Sequence, residues 1–182
     1  MYNIDFEKYL SPAREVYSNR LIEGTSGAYL DYIQDCQTIL DVGCGVGNLV
    51  EYLCSKGKNA LGITFNLTEV NEAVSKNRRV ILGEMHRIPA NDESFDGVVA
   101  WDVLEHSIAP FIALSEMKRV TKIGGKILIF IPDIEWLDNE NHFYQLNQDQ
   151  MKHLINMVGG LGLVDVITRG KVDGVYKIKR DK

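Results

Sequence analysis

The residues best placed to do chemistry begin with Asp41, which lies near the end of the apolar run Ile39-Leu-Asp-Val42, just ahead of Gly43, Gly45 and Gly47 at alternate positions. Helical sequence starts at Leu49, so a strand, a glycine turn and a helix start follow one another directly. Glycine tolerates positive φ and lets ligand atoms approach the backbone, while the unpaired N–H groups of a helix start favour electron-rich groups. Together they make a cradle for a small molecule, and Asp41 can accept a charge-assisted hydrogen bond from a cation. The structural alternative is a tight strand–helix turn capped by the acid, which has the same geometry without a ligand. The spacing is Gly-x-Gly-x-Gly, whereas a dinucleotide pyrophosphate site wants Gly-x-Gly-x-x-Gly and an acid about 20 residues further on. At that distance the chain reads Leu61-Gly-Ile-Thr-Phe-Asn66, with Thr64 at the strand end and no carboxylate until Glu69. Two further candidates are His106 and His142. An imidazole titrates near neutral pH and suits removing a proton from a hydroxyl. For His106 the alternative is a bond to nearby backbone, and His153 reads as an ordinary helix residue.

The elements that must position these groups alternate along the chain. Strand-like runs fall at 38–42, 60–64, 79–82, 95–101 and 126–131, with helix-like runs at 49–55, 68–77, 110–120 and 148–158 between them. Such alternation implies βαβ units and a mostly parallel sheet. The ending differs. Runs at 163–168 and 175–179 are joined by Arg169-Gly-Lys-Val-Asp-Gly174, too short for a crossover, so they form an antiparallel hairpin. Asn147 is placed to cap the helix that follows it, and Asp96 to support the turn into the fourth strand. Residues 1–34 read as amphipathic helix, with Ser11-Pro12 as a helix start. The expected fold is one doubly wound α/β domain whose last strand runs antiparallel.

A chain of 182 residues with 45% hydrophobic content suits a single domain with a full core. The net charge of −5 argues against a general nucleic-acid partner; short basic runs such as Lys76-Asn-Arg78-Arg79 are read as solvated element ends. No apolar run approaches the roughly 20 residues of a membrane span, and Met1-Tyr-Asn-Ile-Asp-Phe6 lacks the features of a signal peptide. Cys36, Cys44 and Cys54 have no metal-ligand spacing, so no metal is expected and a reducing, cytoplasmic setting is.

Four landmarks occur in order: Ile39-Leu-Asp-Val-Gly-Cys-Gly-Val-Gly47, Ile88-Pro-Ala-Asn-Asp-Glu-Ser-Phe-Asp-Gly-Val-Val99, Val103-Leu-Glu-His106 and Glu116-Met-Lys-Arg-Val-Thr-Lys-Ile-Gly-Gly125. Residues 37–132 thereby resemble the core of a class I S-adenosylmethionine-dependent methyltransferase, and Val103–His106 is similar to the form seen in small-molecule and quinone-biosynthesis O-methyltransferases. The resemblance implies a seven-stranded Rossmann-like sheet, S-adenosylmethionine as cofactor and S-adenosylhomocysteine as product. It implies a small-molecule methyl acceptor, with transfer at oxygen. The alternatives are a protein, lipid or glycan-linked acceptor, or a catalytically degenerate cofactor-binding subunit.

Residue by residue, the resemblance implies that Asp41 binds the ammonium of the methionine moiety and that Gly43, Cys44, Gly45 and Gly47 form the cofactor loop. Thr64 stands where the family usually has an acid for the ribose, as it does in relatives of cyclopropane fatty acid synthase; a hydroxyl cannot accept two hydrogen bonds as a carboxylate does. Phe65 either packs on the adenine or joins the core. Glu84 occupies the position of the acid that accepts the adenine amino group, with Met85 lining that pocket, and Trp101 lies beside the methionine portion. Residues 133–182 form the acceptor side: a loop carrying His142 and Tyr144, then a helix and the hairpin. The 1–34 segment forms a lid, with Tyr17 and Arg20 as candidate contacts.

Overall fold

A computed structural model describes residues 30–131, 143, 146–169 and 173–181 of the chain. The expected lid with Tyr17 and Arg20, and the loop residues His142 and Tyr144, lie outside the described residues. The elements are β1 (Thr38–Val42), α1 (Asn48–Ser55), β2 (Asn59–Thr64), α2 (Leu67–Ser75), β3 (Val80–Leu82), β4 (Phe95–Trp101), α3 (Pro110–Val120), β5 (Thr121–Ile131), α4 (Gln148–Val158), β6 (Leu161–Arg169) and β7 (Asp173–Arg180). Single 3₁₀ turns occur at Asp31–Ile33 and Leu104–His106.

The strands form one seven-stranded sheet in the order β3-β2-β1-β4-β5-β7-β6. Strands β1 to β5 pair in parallel, while β7 runs antiparallel between β5 and β6. The expected hairpin is thus present, and the sheet is the doubly wound type. Parallel strands covered on both faces should be apolar at nearly every position, as they are in Ile39-Leu40 and Val98-Val99-Ala100. Alternate side chains sort into two layers. Leu40, Val42, Val98, Ala100 and Ile129 join Leu114 and Met117 of α3 and Met151 and Ile155 of α4. Ile39, Val99, Leu128 and Phe130 join Val50 and Leu53 of α1.

Local signals set the element ends. Asn147 caps α4 through a reciprocal pair, its side chain accepting from Gln150 N–H at 2.9 Å while Gln150 Oε1 accepts from Asn147 N–H at 3.0 Å. Strand β5 starts five residues before the apolar run, because Thr121 pairs with Phe95 before the register shifts to Gly97–Lys126. Lys122-Ile-Gly-Gly125 lies inside that irregularity, with Gly124 at φ 79°, a feature that hydrophobic periodicity reads as a turn.

The amino end of the sheet is tied by Asp96. One carboxylate oxygen accepts from Gln37 N–H (3.1 Å), Thr38 N–H (2.8 Å) and the Thr38 hydroxyl (2.8 Å); the other accepts from Lys122 Nζ at 2.7 Å. The bond from Lys122, with those from Thr38 and Gln37, holds its carboxyl well below the usual range. Asp96 therefore joins the starts of β1, β4 and β5, the structural role expected of it. No helix among the described residues is long and apolar enough to cross a membrane.

Candidate functional site

The cradle forms at the carboxyl end of β1, where open α/β sheets bind ligands. Gly43 N–H and Cys44 N–H both donate to Ile63 O, at 2.9 and 3.0 Å, and Gly47 N–H donates to Cys44 O at 3.0 Å. These bonds curl the loop and leave the N–H groups of Gly45 and Val46 without a protein acceptor among the described residues. Gly47 is the N-cap of α1 and offers no side chain to its first turn. Gly43 (φ 71°) packs so closely that an added Cβ would lie 2.2 Å from Val103 Cγ2. Gly45 (φ 54°) differs, for a Cβ there would meet nothing within 4 Å. The loop is pressed onto the fold at its flanks and open at its centre.

Asp41 is 3% exposed. No donor among the described residues reaches its carboxylate, and burial pushes its carboxyl up to about 8. A buried acid without a donor beside an open, N–H-rich turn fits a ligand that brings a cation to the acid. Cys44 lies between this acid and β2. Its Sγ donates to Gly45 O at 3.4 Å, and burial, then Asp41 and Glu69, raise the thiol far above its ordinary value. The same sulfur would be 2.5 Å from a Cβ at Gly62, so Cys44 acts as packing under the loop and offers its backbone to a ligand.

At the end of β2 the Thr64 hydroxyl donates to Glu69 Oε2 at 2.6 Å and accepts from Asn66 N–H at 3.2 Å. Both Thr64 and Glu69 are buried. The carboxylate absent from the strand end is thus brought back to it from the first turn of α2. Sequence reasoning placed Glu69 too far along the chain; the signal available was Asn66, whose side chain accepts from Thr68 N–H and starts α2 at once. Phe65 is 54% exposed, which removes the core alternative for it and leaves its ring at the open end of the sheet.

Arg78 was also missed. Its guanidinium donates to Val46 O at 3.0 Å and pairs with Glu51 at 2.7 Å, bracing the cradle from the start of β3. Beyond β3, Glu84 Oε2 accepts from His86 N–H at 3.2 Å and lies 2.8 Å from His86 Nδ1. Met85 is half-buried and packs on the main core.

Strand β4 delivers Trp101, whose ring stacks on Phe130 with centroids 3.3 Å apart. Asp102 follows at φ 46°, and the chain turns into Leu104–His106. His106 is half-buried, with its N–H bonded to Val103 O at 3.1 Å. Between these residues Glu105 is buried, and neither carboxylate oxygen has a hydrogen-bond partner among the described residues. Burial first, then Asp102 nearby, holds its carboxyl well above the usual range. Phe143 N–H donates to Glu105 O at 2.9 Å, docking Phe143 on this turn. No group of three or more His, Cys, Asp or Glu side chains able to hold a metal occurs among the described residues.

Asp41, the glycine loop, Glu69, Glu84 and the Trp101–His106 turn all stand at the carboxyl ends of β1 to β4. Such a sheet, with its acid–glycine loop after the first strand, defines a class I methyltransferase domain. Residues 40–129 match the family described as the methyltransferase domain, and this part of the chain is a class I S-adenosylmethionine-dependent methyltransferase domain. It is 33% identical over 113 residues to 24-methylenesterol C-methyltransferase 2 of Arabidopsis thaliana, covering 57% of this chain and 30% of that protein. It is 30% identical over 158 residues to squalene methyltransferase 2 of Botryococcus braunii, covering 82% of this chain and 40% of the relative. With demethylmenaquinone methyltransferase of Renibacterium salmoninarum the identity is 36% over 97 residues, 51% of this chain and 40% of the relative. The chain thus spans well under half the length of these relatives. The crystal structure of a SAM-dependent methyltransferase from Archaeoglobus fulgidus has the same fold (TM-score 0.73, 18% identity, 98% of this chain and 100% of that one).

Proposed function

We propose that the chain transfers the methyl group of S-adenosylmethionine to a small, apolar acceptor. The observation that carries the cofactor half is Asp41, a buried acid without a donor among the described residues, beside the open Gly45. Asp41 accepts from the methionine ammonium, and the N–H groups of Gly45 and Val46 hold the remaining polar atoms. Glu69, held by Thr64, supplies the ribose acid that the strand end lacks. Glu84 accepts the adenine amino group, with Phe65 against its face. S-adenosylmethionine brings an already activated methyl group. What remains for the protein is alignment and exclusion of water, worth roughly 7–11 kcal/mol of barrier when geometry is near attack.

The acceptor half rests on the surface around His106. Ile108, Phe111 and Ile112, which follow the Leu104–His106 turn, and Phe143, which bonds to it, are exposed and offer apolar surface to an acceptor. In the oxygen reading, His106 takes the hydroxyl proton of the acceptor, with His142 as the second candidate. Transfer to carbon is a second reading, favoured by the relatives named as C-methyltransferases. The three free cysteines suit the cytoplasmic setting proposed for it.

The test is methyl transfer from S-adenosylmethionine carrying a deuterated methyl group to a phenolic quinol and to an isoprenoid alkene, the methyl located by NMR. An O-methyl product is expected from the quinol, with His106→Ala losing turnover by about 100-fold and leaving S-adenosylhomocysteine affinity unchanged. A C-methyl product overturns the oxygen reading. Equal losses in turnover and affinity overturn His106 as the base. Transfer to protein, lipid or glycan-linked acceptors alone overturns the small acceptor, and tight S-adenosylhomocysteine binding without any transfer identifies a cofactor-binding subunit.

A further inference from the structure

His86 lies two residues beyond the acid assigned above to the adenine, and it bonds on both sides. Nδ1 is 2.8 Å from Glu84 Oε2, and Nε2 is 2.8 Å from Ser107 Oγ. Ser107 is fully buried, and its Oγ also accepts from Ala109 N–H at 3.1 Å. With that N–H pointing into the oxygen, the Ser107 proton is free to go to Nε2, which leaves Nδ1–H to donate to Glu84. One neutral tautomer therefore satisfies the whole chain Ala109 to Ser107 to His86 to Glu84. A carboxylate, a histidine and a serine in line invite comparison with a nucleophile triad. Ser107 has no exposed surface, so that chemistry has no access to a substrate.

What the line does is fix an acid. Glutamate on a loop has a long, rotamer-rich side chain, and ordering it on binding a ligand costs affinity. Here Oε2 receives two bonds from His86, one from its backbone N–H and one from its ring. No described group engages Oε1. The anchor behind the imidazole is rigid, because Ser107 directly follows the Leu104–His106 turn and its backbone N–H bonds Leu104 O at 3.0 Å. The loop after β3 is held at its other side by Gly83, whose N–H donates to Thr64 O at 2.9 Å.

We propose that His86 is a positioning residue that sets the adenine specificity of the cofactor site: by holding Glu84 Oε2 against Ser107, it presents Oε1 to the 6-amino group of the base. The inference rests on the reading of Glu84 as the adenine acceptor, and it goes beyond it in naming what orients that acid. It also predicts that the chain discriminates against a 6-oxo purine, whose carbonyl would face the carboxylate oxygen without a proton between them.

The experiment compares S-adenosylhomocysteine with S-inosylhomocysteine by calorimetry on the full chain and on Glu84→Ala, His86→Ala, His86→Gln and Ser107→Ala. The unaltered chain is expected to favour the amino ligand by about 30-fold. Glu84→Ala abolishes the preference. His86→Ala cuts it about tenfold, mainly by weakening the amino ligand, while His86→Gln, able to donate to Glu84 and accept from Ser107, restores it to within about threefold. Ser107→Ala keeps the imidazole but removes its anchor, together with the bond from Ala109 N–H, and lowers the ratio in the same direction, which keeps the test open if loss of the imidazole disturbs the loop. Binding of neither ligand by the unaltered chain overturns the cofactor reading, and this proposal with it. An unchanged ratio in Glu84→Ala overturns the adenine role of Glu84. A ratio lost in Glu84→Ala but kept in His86→Ala, with both ligands weakened equally or not at all, overturns the positioning role and leaves Glu84 in place.

Discussion

Asp41 and Asp96 are the same residue type on neighbouring strands of one sheet, and their surroundings are opposite. Asp96 stands at the amino end of β4, half-exposed, with donors from Gln37, Thr38 and Lys122 on its two oxygens. Asp41 stands at the carboxyl end of β1, buried, with no donor among the described residues. Hydrogen bonds lower the first pKa, and burial raises the second. The amino end of the sheet completes itself with its own groups. The carboxyl end keeps an acid and several N–H groups unsatisfied at a cost in stability that a ligand offsets.

The largest effect that would break this comparison comes from exchanging each acid for its amide. Asp41→Asn is expected to weaken S-adenosylhomocysteine binding about 100-fold, since a charge-assisted bond to the ammonium is lost. The thermal midpoint without ligand should hold or rise, because a desolvated acid has been removed. Asp96→Asn should do the reverse, leaving affinity unchanged and costing about 2 kcal/mol of stability, or about 4–8 °C in a chain of this size. Thermal scans with and without ligand measure both quantities. If Asp41→Asn loses stability and affinity together, Asp41 is a structural cap and the contrast fails.

Protonation sharpens the same contrast. The folded Asp41 keeps its proton up to about pH 8, whereas its ordinary value is 3.8. Between those values the folded chain binds the extra proton, so the Asp41 contribution to stability falls as pH rises. For Asp96 the unfolded chain binds the extra proton, so its contribution is full above its ordinary value and is lost as pH falls through the lowered one. Ammonium binding needs the ionised Asp41. Affinity for S-adenosylhomocysteine should therefore rise about tenfold from pH 6 to pH 7 and level off near pH 8, with a proton released on binding. Calorimetry in two buffers of different ionisation enthalpy reads that proton. A flat profile without proton release would remove Asp41 from the ligand.

Much of the frame was legible because its signals are local. The ends of β1, β4, α3 and α4 follow from apolar runs, a leading proline and the Asn147 cap, and the final hairpin from a connection too short to cross over. Partnerships between distant side chains were harder to read. Glu69 sits five residues past the strand end that needs an acid, and only the immediate start of α2 at Asn66 turns it back to Thr64. Arg78 belongs by sequence to a basic run that reads as solvated, yet it grips Val46 O, 32 positions earlier. His86 carried no motif at all, because its partners Glu84 and Ser107 meet only when the loops after β3 and β4 come together. The buried Glu105 is part of a legible landmark, while its lack of a partner among the described residues is a property of packing that no spacing encodes.

The smallest effect separates two glycines that the spacing makes equal. Both adopt positive φ, so alanine at either adds backbone strain of roughly 1 kcal/mol. At Gly43 the new methyl would also collide with Val103, whose Cγ2 stands 2.2 Å from its ideal place, and Val103 leads into the turn that carries His106. Gly43→Ala should therefore lower the thermal midpoint clearly, by more than the strain alone. At Gly45 the methyl enters open space, where only a ligand would meet it. Gly45→Ala should stay folded, with a midpoint lowered only by the strain, and lose about tenfold in S-adenosylhomocysteine affinity as the methyl displaces the ligand from the loop. Unchanged affinity in Gly45→Ala would mean that the open centre of the loop faces water, and that the acid and the N–H groups of α1 hold the cofactor without it.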